Sequence, residues 1–126
     1  YTKGDRDKNA SEILMDLSDI VLNVFNKRKH VFLAEVEFWA LSNKDDDVKQ
    51  KSRLLYNKLL YLFELILKKG IRQKEFDDMD TKVVAMTILT SLQGINWFCL
   101  YEDTEVTAKN YIKTSMGLLI KSLKRR

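Results

Sequence analysis

Residues 68–80 read Lys68-Lys69-Gly70-Ile71-Arg72-Gln73-Lys74-Glu75-Phe76-Asp77-Asp78-Met79-Asp80, and an apolar run from Thr81 to Trp97 follows them. This is a stop signal, a short bridge and a start signal between two apolar helical segments. Lys68 and Lys69 suit the negative end of a helix, and Gly70 after them suits a left-handed residue closing it. Asp77, Asp78 and Asp80 supply carboxylates for the unpaired amides of the next helix. Ile71 and Phe76, between the two signals, are placed to tuck into the groove between the helices and fix the corner.

The helix read from Thr81 to Leu100 would be about 30 Å long. Three neighbouring stripes share helical spacing in it: Ala85, Leu89, Leu92 and Asn96; Val84, Ile88, Ser91, Ile95 and Phe98; and Met86, Thr90, Gln93 and Trp97. A surface helix of a monomer carries one apolar stripe and a charged back. This one has no charged residue between Lys82 and Glu102. It is therefore expected to be covered on more than one side.

The rest of the chain follows the same grammar. Residues 1–8 are charged and without pattern, as in a connector or the frayed end of a preceding helix, and one helical domain is expected over residues 9–126. Asn9 followed by Glu12 is a helix-start pair. Ile13, Leu17, Ile20, Val21 and Val24 then form an apolar stripe that fades into the basic run from Asn26 to His30. Val31 to Leu41 fits a short aromatic helix, with Phe32, Val36 and Trp39 on one side and Ala34, Phe38 and Leu41 on another. Asp45, Asp46 and Asp47 open the longest segment, Val48 to Lys69, in which Leu55, Leu59, Leu62 and Ile66 make one stripe and Tyr56, Leu60, Phe63 and Leu67 the next. After an interruption at Glu102 to Thr104, a last helix from Glu105 to about Leu123 carries Ala108, Ile112, Met116, Leu119 and Leu123 on one side. Five helices joined by short turns, with no proline and only four glycines, predict an all-α antiparallel bundle.

Composition narrows function by exclusion. The net charge of +4 comes from 22 basic and 18 acidic residues scattered together, the signature of a solvated surface rather than a nucleic-acid face. One cysteine rules out an internal disulfide and fits a reducing, cytoplasmic setting. There is no uncharged apolar run of about 18 residues, so no membrane contact is expected. With a single histidine and a single cysteine, no metal site or cofactor is expected. Neither a glycine-rich phosphate loop nor an activated nucleophile is present, so no enzymatic activity is expected. What remains is binding. The chain is rich in large rings for its size, and gaps between helices lined by rings are common ligand sites.

The punctuation at Lys68 to Asp80, followed by Val83-Val84-Ala85-Met86-Thr87-Ile88-Leu89-Thr90-Ser91-Leu92-Gln93-Gly94-Ile95, resembles the C-terminal domain of TetR-type transcriptional regulators. Phe38-Trp39-Ala40 with the polar run at Asn43 to Asp47 is similar to the BetI-type subgroup. Gln93 stands where relatives often carry an acidic residue. The resemblance implies a cytoplasmic homodimer that binds a small-molecule effector, apolar or aromatic, and meets operator DNA only through an N-terminal helix-turn-helix outside these residues. It implies pairing of the last two helices with their copies, and a repressor released by its ligand. On that reading Thr87, Ile88, Ser91 and Ile95, with Tyr111, Ser115, Leu118 and Ser122, are expected at the two-fold contact. Phe38, Tyr56, Phe63, Asn96 and Trp97 are expected to line the ligand pocket. The alternative is a helical protein-interaction module with no ligand.

Overall fold

The computed structural model describes residues 8–99 and 105–126, and within them the chain is all-α. The helices are α1 (Ala10–Lys27), α2 (Lys29–Ser42), α3 (Asp46–Arg72), α4 (Thr81–Gln93), the single turn α5 (Ile95–Phe98) and α6 (Ala108–Leu123). Helix α4 folds back along α3, α6 packs on α1, and α2 lies against α3 with its far end touching α5. One core joins these layers. Leu14 and Phe25 of α1, Phe63 and Leu67 of α3, Ile88 of α4, and Ile112 and Met116 of α6 are all buried in it.

The helix starts follow the sequence. Asn9 and Glu12 form a reciprocal capping box at α1. Asp45 accepts from the amides of Asp47 and Val48 at α3, and Asp80 from those of Lys82 and Val83 at α4. Thr107 accepts from Asn110 at α6, so that helix opens later than the expected Glu105. The basic run does not extend α1. Arg28, at φ −140° and ψ 57°, is a one-residue break, and Lys29 and His30 already belong to α2. The expected single helix from Thr81 changes at Gly94, where the amide of Trp97 bonds the Gly94 carbonyl in a tighter turn. The expected ends at Leu100 and Glu102 to Thr104, and the segment before Lys8, lie outside the described residues.

The corner after α3 departs most from expectation. Gly70 is not the left-handed residue; it sits inside α3, which runs on to Arg72. Lys74 takes the left-handed conformation instead, at φ 62°. Its amide bonds the Ile71 carbonyl at 3.0 Å, and that of Glu75 bonds the Gly70 carbonyl at 2.9 Å. These two bonds close the helix as a Schellman motif does. Gly70 is needed for space: a Cβ there would come within 2.3 Å of the buried Phe76 ring. The left-handed region costs a side-chain-bearing residue about 1 kcal/mol. Lys74→Gly is therefore expected to raise stability by up to about 1 kcal/mol, seen as a higher urea midpoint at unchanged slope.

The same loop fastens two other helix ends. The Glu75 carboxylate accepts from the Ala10 amide at 2.8 Å and the Ser11 amide at 3.3 Å, and it also takes the Ser11 hydroxyl. A carboxylate at the positive end of α1 satisfies its free amides. The Glu75 carbonyl accepts from the Arg125 amide at 2.8 Å, and the Asp77 amide donates to Leu123 at 3.0 Å. Phe76 and Lys124 thereby form an antiparallel bridge. The starts of α1 and α4 and the ends of α3 and α6 thus meet at one end of the bundle.

Candidate functional site

The other ends of α4 and α6 enclose a cavity of about 350 Å³. Val36 and Trp39 of α2, Thr90 and Gln93 of α4, Gly94, Asn96 to Phe98 of α5, and Tyr111 of α6 line it. The volume lies within the range of small-molecule sites. A cleft of about 410 Å³ between α1 and α6, bordered by Lys8, Glu12, Asp16 and Lys124 among others, is much more open to solvent. The ring-lined pocket, partly open with Trp39 and Trp97 43 % and 52 % exposed at its walls, is the less open of the two and the better candidate binding site.

The walls come from rings held edge to face. Trp39 meets Tyr56 at 5.6 Å and Trp97 at 6.5 Å between centroids. Such pairs prefer this geometry because the positive edge of one ring faces the negative face of the other. Behind the wall lies a polar relay. The Trp39 indole N–H donates to the Tyr56 hydroxyl, which donates to Glu35 Oε1 at 3.1 Å. Gln93 Nε2 donates to the same oxygen at 3.0 Å. Burial pushes the Tyr56 phenol above its usual range, the Trp39 indole opposes that, and the Glu35 charge reinforces it. Tyr56 therefore stays protonated and keeps donating. The relay fixes the rotamers of Trp39 and Gln93, so the cavity is shaped before any ligand enters.

Asn96 is the odd residue of the wall. It is 6 % exposed, and its amide oxygen is sealed from solvent without a hydrogen-bond partner. Cys99, just beyond, has its thiol pushed up by burial, which suits an inert side chain.

Of the residues expected to bind ligand, Asn96 and Trp97 line the cavity and Tyr56 braces it from behind through Trp39. Phe38 and Phe63 do not line it. Phe63 is a core residue, 3 % exposed, and Phe38 is 38 % exposed on α2. Trp39, Gln93, Val36 and Thr90 were not among the expected lining. Trp39 carried a signal: it stands four residues after Glu35, on one face of α2.

The expected two-fold contact also needs correction. Ile88 of α4 and Ile95 of α5 are 0 % exposed and belong to the subunit's own core. Tyr111 turns its hydroxyl toward Gly94 and the cavity. Thr87, Leu118 and Ser122 are exposed, and Ser91 and Ser115 are half-buried. The outward side of α4 is in fact Val83, Met86, Thr87 and Thr90, with Val83 60 % and Met86 57 % exposed, and on α6 Leu118 is 65 % exposed.

Among the described residues no cluster of metal-ligating side chains occurs, and no helix is long and apolar enough to cross a membrane. These features define an all-α domain with a partly open aromatic pocket at one end. The chain belongs to the TetR-type C-terminal domains: residues 2–125 match the family described as QacR-like protein, C-terminal region. That description is not the BetI-type subgroup. Neither a curated protein nor a solved structure matches the chain.

Proposed function

We propose that this domain binds an effector and forms the homodimer of a TetR-type transcriptional regulator, a cytoplasmic repressor released by an apolar or aromatic small molecule. The observation that carries the reading is the cavity shared by α2, α4, α5 and α6. It joins α4, on which Val83 and Met86 are exposed, and α6, on which Leu118 is exposed among polar residues, to a ring-lined site. The role in this reading is non-enzymatic, in keeping with the family match. Operator DNA would be met through a helix-turn-helix segment outside residues 9–126. Phe38-Trp39-Ala40 and the polar run after it support a BetI-type relationship as the finer form of this proposal.

Pairing through α4 and α6 is supported by Val83, Met86, Thr87 and Leu118, with Ser91, Ser115 and Ser122 at the edges where small side chains allow close approach. A ligand in the cavity touches both helices of that contact. It shifts the regulator between DNA-binding and released states only by its unequal affinity for the two. A tenfold preference is worth about 1.4 kcal/mol per site.

Sedimentation at micromolar concentration tests the dimer. The expected mass is twice the 14.8 kDa of the chain, and a monomer would overturn this part of the reading. It would favour an interaction module, for which the exposed Leu54, Tyr61 and Leu65 stripe on α3 is the specific support.

A further inference from the structure

We infer that the outer side of α3 docks an acidic, amphipathic helix of a partner protein. This adds a partner to the regulator proposed above and depends on neither its ligand nor its dimer contact. From Leu54, steps of four and three residues in alternation reach Lys58, Tyr61, Leu65, Lys68 and Arg72 in turn. Residues so spaced form one line along a helix, and all six of these are exposed. Singly exposed apolar residues are ordinary, but three in register on one face point to a contact.

The charge along this line has one sign. Every exposed charged residue of α3 after Asp47 is basic, and Asp47 itself pairs with Lys51 at 3.1 Å. Glu64, the remaining carboxylate of the helix, is half-buried and accepts from the Thr81 hydroxyl at 2.8 Å. Lys58, Lys68 and Arg72 have no carboxylate partner among the described residues. The whole chain carries only +4, so the outer side of α3 concentrates cations that other surfaces balance. The pattern also selects among anionic partners. A membrane surface takes a broad apolar face with the cations to its sides, whereas here cations interrupt a line one residue wide. Nucleic acid is held through its phosphates and gains nothing from Leu54 and Leu65. Alternating steps of three and four are the spacing by which one helix seats on another. Carboxylates flanking the partner's apolar stripe would then meet Lys58, Lys68 and Arg72.

Three labelled peptides of about five helical turns test this, by fluorescence anisotropy with the 126-residue chain. The first carries leucines at steps of three and four among glutamates. The second has lysines in place of the glutamates, and the third has glutamines in place of the leucines. The first is expected to bind at least about tenfold more tightly than either of the others, and to weaken as salt rises. Tyr61→Ala is expected to weaken it about tenfold. Lys58→Glu combined with Lys68→Glu is expected to turn the preference toward the lysine peptide. All three side chains are exposed, so helix content by circular dichroism is expected to stay unchanged. Equal binding of the three peptides, or variants that bind as the wild type does, overturns the inference. So does a failure of the acidic peptide to bind, whether or not phosphatidylserine vesicles or a DNA duplex bind in its place. None of these results touches the effector or the dimer.

Discussion

Gly70→Ala is expected to cost about 2–3 kcal/mol of folding stability, read as a lower urea midpoint. The added methyl would lie 2.3 Å from Phe76 Cδ2 and 2.7 Å from Cε2, distances that carbon atoms do not tolerate. The ring cannot step aside cheaply, because Phe76 is 2 % exposed in the core and its backbone is tied to Gly70 and bridged to Lys124. Helix propensity alone points the other way, since alanine is favoured over glycine inside a helix by about 1 kcal/mol. Gly117→Ala supplies the contrast. It sits in α6 with no atom within 4 Å of the new methyl, so only the propensity gain applies and the variant is expected to be more stable. Similar midpoints for the two variants would remove the steric account of Gly70.

Leu118→Arg is expected to dissociate the dimer while leaving helix content intact, whereas Ile88→Arg is expected to unfold the subunit. Leu118 is 65 % exposed within one chain and Ile88 is 0 % exposed. A guanidinium at position 118 remains solvated in the monomer and loses its water only when a second copy covers it. At position 88 the charge is buried within the subunit without a partner, which costs about 3–5 kcal/mol. Sedimentation and circular dichroism separate the two results. A Leu118→Arg variant that stays dimeric at micromolar concentration would place the contact elsewhere.

These two substitutions mark the boundary of what the sequence makes legible. Capping residues act within a few positions of themselves, so Asn9, Asp45 and Asp80 could be read as helix starts without knowledge of the rest of the fold. That the segments are amphipathic helices was equally readable, and with it the all-α bundle, but not which face turns inward: Ile20 and Leu55, on expected apolar stripes, are 58 % and 54 % exposed. Which stripe of α4 faces inward was not, because three of them are uncharged and the rotation of the helix is set by α3 and α6. Ile88 and Ile95 were misplaced for that reason. Gly70 was misread for another: a glycine after two lysines satisfies the local rule for a helix end, while the ring that requires it stands six residues on. At the cavity, Asn96 was legible as a polar residue on an apolar stripe, and Trp97 as its neighbour. The relay from Trp39 through Tyr56 to Glu35 and Gln93 was not, since it needs the relative rotation of three helices.

Glu75 reaches the first residue of α1 through its carboxylate and the residues just past α6 through its carbonyl. The beginning of one helix and the close of another are therefore neighbours, although more than a hundred positions separate them along the polypeptide. Joining them by a short flexible tether adds little loop-closure entropy. The chain could then be opened afresh at the exposed turn of Asn43 and Lys44, giving a permuted order of the same helices with the cavity and the outer sides of α4 and α6 unbroken.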